Sequence, residues 1–214
     1  MRLFLFAAAM GLFIGCVNDD KKLSVIEDRL NREIPDSNVQ YFPIDSLSSH
    51  GEAYHVRDWA SEVLFNLREP VLYNYLGEGE FVRLTWLKTF YNPVVVRVSN
   101  FNDTVYASIK ILKSKSSEND TLEILKDTIR YLPLQKWQRI LASLGENNYW
   151  SSKQQDTAMG AKDGIPWLLE CKLHNKYHYV KRWDEGNLSS KELNLYAKEL
   201  IDIANNYTSM RSDK

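Results

Sequence analysis

Residues 83–98, which read RLTWLKTFYNPVVVRV, constrain the fold of this chain more than any other stretch. They contain two runs rich in β-branched and aromatic side chains, and such side chains favour extended strands. Asn92 and Pro93 separate the runs, and proline removes a backbone donor, so the break predicts a turn between two strands. Because this connection is too short for a parallel crossover, we expect an antiparallel pair at the centre of a sheet.

Apolar periods predict further elements on both sides of this centre. Helical spacing predicts helices over residues 51–69, 134–144 and about 189–205. Alternation predicts a strand over 104–113, a weaker strand within 121–131, and a hairpin of 165–173 with 177–183 around a three-residue turn, His174-Asn175-Lys176. This order predicts an α+β fold, mainly an antiparallel sheet with helices packed on one face.

Composition places the chain among ordinary folded proteins with one domain. It has 214 residues, of which 44% are hydrophobic and 26% are charged. The formal net charge is -1, and loss of residues 1–15 would remove only Arg2, which leaves about -2. Because nucleic-acid binding requires a basic stripe, the balance of charge argues against a nucleic-acid partner.

The first 16 residues, MRLFLFAAAMGLFIGC, predict export. Their apolar run is too short to span a bilayer and follows a basic start, as in a signal peptide. Its end resembles a bacterial lipobox, which implies cleavage before Cys16 and lipidation of that cysteine with palmitate and related chains. An ordinary secretory signal is the alternative. We therefore predict a signal peptide at 1–15, a lipidated N-terminus and tether at 16–50, one domain at 51–206 and a polar tail at 207–214.

The residues after Cys16 bear on location. Val17 stands where an aspartate would resemble an inner-membrane retention signal, which favours the outer membrane. Asp19 and Asp20 resemble the acidic tracts that send some lipoproteins to the cell surface, although they are equally typical of a solvated tether. The prediction is a lipid-anchored outer-membrane protein that faces the periplasm or the cell surface.

Strand parity predicts a charged face on the sheet. Successive side chains of a strand point to opposite faces, so the alternate valines of residues 94–98 belong to the core. The opposite face then carries Arg83, Arg97, Tyr106, Lys110, Glu170, His178 and Arg182. Arginines there suit an anionic ligand or a partner protein, whereas the plainer interpretation is that a one-sided sheet exposes charges to water. A slip in the register of the hairpin would reverse the positions of His178 and Arg182.

Motifs of common enzymes are not found in the sequence, which contains no glycine-rich phosphate loop, GxSxG elbow, HExxH helix or CxxC pair. His174 and His178 have HxxxH spacing but no third ligand nearby, so neither a metal nor a cofactor is predicted. Cys171 falls on an apolar period and is expected in the core. One enzymatic alternative stays open: a hydrolase or transferase that uses Glu170 and His178 on the open sheet face.

Five blocks together resemble an uncharacterised family of exported bacterial proteins. The blocks are REPVLY (68–73), RLTWLKTFYNPVVVRV (83–98), LPLQKW (132–137), GIPWLLE (164–170) and YHYVKRW (177–183). The resemblance covers roughly residues 59–204 and implies no activity. We therefore expect a cell-envelope lipoprotein with a non-enzymatic domain that binds a partner protein or an envelope component, an immunity or inhibitor protein being one version.

Overall fold

The structure, a computed structural model, describes residues 40–43, 52–87, 92–113, 123–154, 165–184 and 191–208. The predicted signal peptide, Cys16 and the end of the polar tail lie outside these residues. The elements, in chain order, are α1 (Glu52–Asn66), β1 (Glu80–Trp86), β2 (Val94–Phe101), β3 (Thr104–Leu112), β4 (Ile124–Leu132), α2 (Leu134–Glu146), a 3-10 helix (Tyr149–Ser151), β5 (Ile165–Leu173), β6 (Lys176–Asp184) and α3 (Lys191–Thr208). The predicted α+β class is confirmed.

The six strands form one sheet in the order β4-β3-β2-β1-β5-β6, and every neighbouring pair is antiparallel. Strands β1 to β4 follow one another as a meander, and the β5–β6 hairpin joins the sheet at β1. Strands β1 and β2, which contain the described residues 83–86 and 94–98 of the RLTWLKTFYNPVVVRV stretch, therefore lie at the centre, as predicted. Among the described residues, no helix is long and apolar enough to cross a membrane.

Helices α2 and α3 cover one face of the sheet, and the alternate valines lie beneath them. Val82, Val96 and Val98 are almost completely buried there, together with Cys171. The helices contribute Trp137, Ile140, Leu144, Tyr196, Ala197, Leu200 and Ile203. This face has the composition that parity predicts for a core.

Helix α1 covers the other face, so the prediction that the helices pack on one face is wrong. Its buried side, Ala60, Val63 and Leu64, packs with Val95 and Leu168 of the sheet. The sequence predicted α1 as an amphipathic helix, but periodicity does not say which face of a sheet a helix covers. The sheet therefore lies between helices on both sides.

The turn between β5 and β6 has two residues, not the three predicted. Leu173 pairs with Lys176, and His174 begins the turn with a φ of 50°. Because Lys176 belongs to β6, the remainder of β6 shifts by one position relative to the predicted register. His178 then pairs with Cys171, which places His178 and Arg182 on the face beneath α2 and α3.

Residues Gln40–Pro43, which we call the strap, lie against α1 although the sequence places them in the tether. The strap buries Tyr41 and Phe42 completely or nearly so. The Gln40 side-chain amide donates to Asp58 Oδ1 at 2.9 Å, and the Tyr41 backbone amide donates to Ser61 Oγ at 3.1 Å. These bonds fix the strap beside the helix on the same face of the sheet.

Candidate functional site

Five of the seven predicted site residues share one face of the sheet. Arg83 pairs with Arg97 on one side and with Glu170 on the other, and opposite residues of paired strands point the same way. Tyr106 and Lys110 follow on β3 in the same alternation. Parity thus grouped these five residues correctly.

The prediction that this face is open to solvent is wrong. Arg83, Arg97, Tyr106 and Glu170 are 0% exposed, and Lys110 is 3% exposed. Helix α1, the strap and the chain after α1 cover them. A buried charge is tolerated only when it is paired and hydrogen-bonded, so the partners of these side chains decide what the face does.

The central partner is Glu69, which sequence analysis did not identify. Helix α1 ends in a Schellman motif, in which Glu69 N donates to Leu64 O and Arg68 N donates to Phe65 O, both at 2.9 Å. Arg68 takes the left-handed position of that motif with a φ of 52°. The motif reverses the chain and directs Glu69, which is completely buried, onto the charged face.

The Glu69 carboxylate contacts three cations. Oε2 accepts from Arg97 Nε at 2.8 Å and lies 3.5 Å from Arg83 Nη1. Oε1 lies 3.1 Å from Lys110 Nζ. One side chain from the end of α1 therefore joins cations from β1, β2 and β3.

Glu170 on β5 completes the group through Arg83. Its Oε2 accepts from Arg83 Nε at 2.7 Å and lies 2.6 Å from Nη2. Its Oε1 accepts the Tyr177 hydroxyl at 2.9 Å. We call Glu69, Arg83, Arg97, Lys110 and Glu170 the ion network. It links four neighbouring strands to the end of α1.

The ion network holds three cations and two carboxylates, and backbone carbonyls stabilise the excess positive charge. Lys110 Nζ donates to Leu67 O at 2.8 Å and to Arg68 O at 3.2 Å, next to the C-terminus of α1, the negative end of its dipole. Arg83 Nη1 donates to Pro70 O at 2.7 Å. The cations therefore have acceptors on the chain that covers them as well as on the sheet.

The two carboxylates of the ion network titrate differently. Burial acts to raise the pKa of Glu69, but Arg97, Lys110 and Arg83 outweigh it and lower this pKa to about 2. Burial raises the pKa of Glu170, and Arg83 and Tyr177 oppose that rise. Glu69 contacts three cations and Glu170 contacts one, which accounts for the contrast.

The strap closes the ion network on its outer side. The Tyr41 hydroxyl donates to Glu69 O at 2.8 Å, and the Arg83 guanidinium carbon lies 5.9 Å from the centre of the Tyr41 ring. Phe42 packs against Tyr179 with the ring centres 5.6 Å apart. Burial raises the pKa of the Tyr41 hydroxyl, which is therefore neutral beside the network.

His178 and Arg182 do not join the ion network. The His178 ring lies 5.1 Å from the Tyr149 ring on the α2–α3 face, where burial lowers the pKa of His178. Arg182 Nη1 donates to Lys153 O at 3.0 Å. The sheet therefore separates His178 from Glu170, and the prediction that these two residues share one open face is wrong.

This arrangement is better suited to holding α1 and the strap on the sheet than to catalysing a reaction. The carboxylates and cations of the ion network pair with one another or with backbone carbonyls in a buried interface, where a substrate would first have to displace α1 or the strap. Burial also raises the pKa of the Cys171 thiol, which makes it a poor nucleophile. Among the described residues, no group of three His, Cys, Asp or Glu side chains is placed to hold a metal ion.

One signal in the sequence pointed to Glu69. The predicted face carried three cations on adjacent central strands and one carboxylate, and a buried group of that kind needs further acid. Glu69 stands directly before Pro70, within the REPVLY block. Its role depends on the Schellman turn, which the sequence alone does not indicate because no glycine marks it.

Comparison with protein-family models finds none that matches the chain, and comparison with curated proteins finds no similar sequence. The resemblance of the five sequence blocks to a family of exported bacterial proteins therefore stays a prediction.

Proposed function

We propose that this chain is a non-enzymatic cell-envelope lipoprotein, anchored in the outer membrane through lipid on Cys16. Its α+β domain binds a partner protein or an envelope component. The lipid anchor is supported by the sequence Phe-Ile-Gly-Cys at residues 13–16, which directly follows a short apolar run with a basic start. Several acyl chains on one cysteine exceed what stable membrane attachment requires.

The geometry of the domain supports binding over catalysis. The charged groups that were predicted as a ligand face bond to one another, and Glu170 and His178, the two residues of the enzymatic alternative, lie on opposite faces of the sheet. A partner would therefore meet the outer surface of the domain. The ion network contributes by holding the end of α1 on the sheet, because Leu67 O and Pro70 O accept from its cations. The strap is joined to the same group through the Tyr41 hydroxyl, which donates to Glu69 O.

Replacement of Cys16 by serine tests the anchor. The wild-type protein should incorporate labelled palmitate and sediment with membranes, whereas Cys16→Ser should take up no label. Intact-protein mass spectrometry should show the added acyl mass only on the wild type. An unlabelled wild-type protein that is cleaved and released would show an ordinary secretory signal and overturn the anchor.

Protease added to intact cells tests which way the protein faces. Cleavage in intact cells would show surface exposure, and cleavage only after lysis would place the domain in the periplasm. Crosslinking in cells tests the binding function. A single partner recovered at constant stoichiometry supports it, and the immunity or inhibitor version further requires tight binding to one protein.

A further inference from the structure

The two edges of the sheet differ in how the chain protects them. At the β6 edge, Lys181 N donates to Gln154 O at 2.7 Å, and the Arg182 side chain also bonds to the backbone at Lys153. At the other edge, β4 pairs with β3, and the described residues place no further strand beside it. An exposed strand edge of this length presents backbone donors and acceptors that another strand can pair with.

Strand β4 is also exposed on its surface. Leu125 is 48% exposed and Tyr131 is 37% exposed, two of the few large apolar side chains of the described residues that meet solvent. The pairing between β3 and β4 is irregular at Leu125, which lies opposite no residue of β3. From Lys126 to Leu132 the ladder is regular, so seven residues offer an even edge.

The side chains of this regular part have a charge pattern. Lys126, Thr128 and Arg130 lie on the face of the sheet beneath α2 and α3, opposite Ile111, Ile109 and Ala107. On the other face, Asp127, Ile129 and Tyr131 alternate with them. One side of the edge is therefore cationic at two positions four residues apart, and the other side is acidic at one end and apolar at the other.

We propose that β4 binds an extended strand of a partner protein by antiparallel addition to the sheet. The partner strand carries acidic side chains opposite Lys126 and Arg130, a basic side chain opposite Asp127 and apolar side chains opposite Ile129 and Tyr131. Backbone hydrogen bonds supply the affinity of such a complex, and alternate side chains supply its specificity. This inference rests on the proposed binding function and names its surface and partner chemistry.

A second copy of this chain fits the edge less well. The register that pairs the full length of Ile124–Leu132 with itself centres on Thr128 and places Lys126 opposite Arg130. Like charges directly opposite each other destabilise a strand pair. The pattern therefore favours a complementary strand from another protein over β4 of a second copy.

A matched pair of peptides tests the chemistry. The first carries Val-Glu-Val-Thr-Lys-Glu, which in antiparallel order meets residues 131 to 126, and the second replaces both glutamates with lysine. The wild-type protein is purified from cells in its full form and kept in detergent. It should bind the first peptide about tenfold more tightly than the second. The variant Lys126→Glu with Arg130→Glu should reverse this preference, and its melting temperature shows that it is folded.

Backbone pairing is tested separately from charge. Hydrogen exchange at residues 124–132 should slow when the first peptide is present at millimolar concentration. Two further peptides carry N-methyl groups at the odd or at the even positions, and one of them should lose binding because its amides face β4. Charge-selective binding that survives both methylation patterns would show an ionic contact without strand addition and would overturn the inference.

The remaining outcomes separate this inference from the proposed function. If neither peptide slows exchange at β4, or if self-association protects it instead, the inference is wrong. If crosslinks to a cellular partner map to other surfaces, the inference also fails and the binding function stands. If the peptides bind as expected but crosslinking in cells yields no partner, the proposed binding function is not supported. The inference that β4 accepts a strand of this charge pattern still stands.

Discussion

The face of the sheet beneath α2 and α3 and the face beneath α1 are both buried, but different interactions stabilise them. The first is filled by apolar side chains such as Val82, Val96 and Ile140. The second combines apolar contacts with the ion network, whose charges are compensated by Glu69 and by carbonyls at the end of α1. The comparison shows that charges on a strand do not by themselves indicate a solvated face.

Removal of Glu69 should cause the largest loss of stability that is specific to the α1 face. Glu69→Ala leaves Arg97 and Lys110 buried without their carboxylate, and we expect a loss of about 3–5 kcal/mol in the free energy of unfolding. Urea denaturation measures it. The control is Glu123→Ala, which removes an exposed ion pair of 3.4 Å with Lys113 and should cost about 0–1 kcal/mol. Similar losses in both variants would contradict a dry ion network.

Adjacent leucines on β5 test whether both faces are dry. Leu168 packs beneath α1 and Leu169 beneath α2 and α3, and both are almost completely buried. Leu168→Ala and Leu169→Ala should each cost about 2–5 kcal/mol because each leaves a cavity in a packed core. Denaturation of the two variants in parallel provides the measurement. A cost below about 1 kcal/mol for Leu168→Ala alone would mean that water reaches the α1 face.

Acid should remove the stabilisation that the Glu69 carboxylate gives to the α1 face. Because the folded-state pKa of Glu69 lies at about 2, below its ordinary value of 4.5, its stabilisation is present above pH 4.5 and is lost as pH falls toward 2. The stability difference between wild type and Glu69→Gln should therefore shrink by about 3 kcal/mol over this window. Leu169→Ala serves as the control, since its difference from wild type should stay constant with pH.

The smallest expected effect compares one hydrogen bond on each face. Tyr177→Phe removes a donor to the charged Glu170 carboxylate and should cost about 1.5–3 kcal/mol. Tyr196→Phe removes a bond between two hydroxyls, Tyr196 and Ser152, 2.8 Å apart, and should cost about 0.5–1.5 kcal/mol. Thermal unfolding ranks the two variants. The reverse order would show that Tyr177 contributes little to the ion network.

Parity predicted which residues lie together, because the alternation of side chains is a local property of a strand. Parity groups Arg83, Arg97 and Glu170 without any information on strand pairing. It did not predict their burial, since the covering helix is selected by tertiary packing. These residues lie on strands away from the edges of the sheet, which indicates burial, whereas their charge suggested exposure to solvent.

The hairpin shows the limit of local inference. The prediction counted His174, Asn175 and Lys176 as turn residues, whereas the chain turns at His174 and Asn175 alone. Because one residue reverses the face of every following side chain, this small error moved His178 and Arg182 to the wrong site. The error in turn length did not affect the prediction that residues 165–173 and 177–183 form two paired strands.

The position of β5 beside β1 has a consequence for synthesis of the chain. Arg83 bonds to Glu170, which is synthesised 87 residues later, so Arg83 lacks this partner while the intervening chain is made. Until the β5–β6 hairpin is complete, β1 is an open edge, although it becomes one of the most deeply buried strands. An unpaired edge of this kind is a site of aggregation. A chain that stops short of residue 165 therefore lacks both β5, which pairs with β1, and the Glu170 carboxylate that bonds to Arg83.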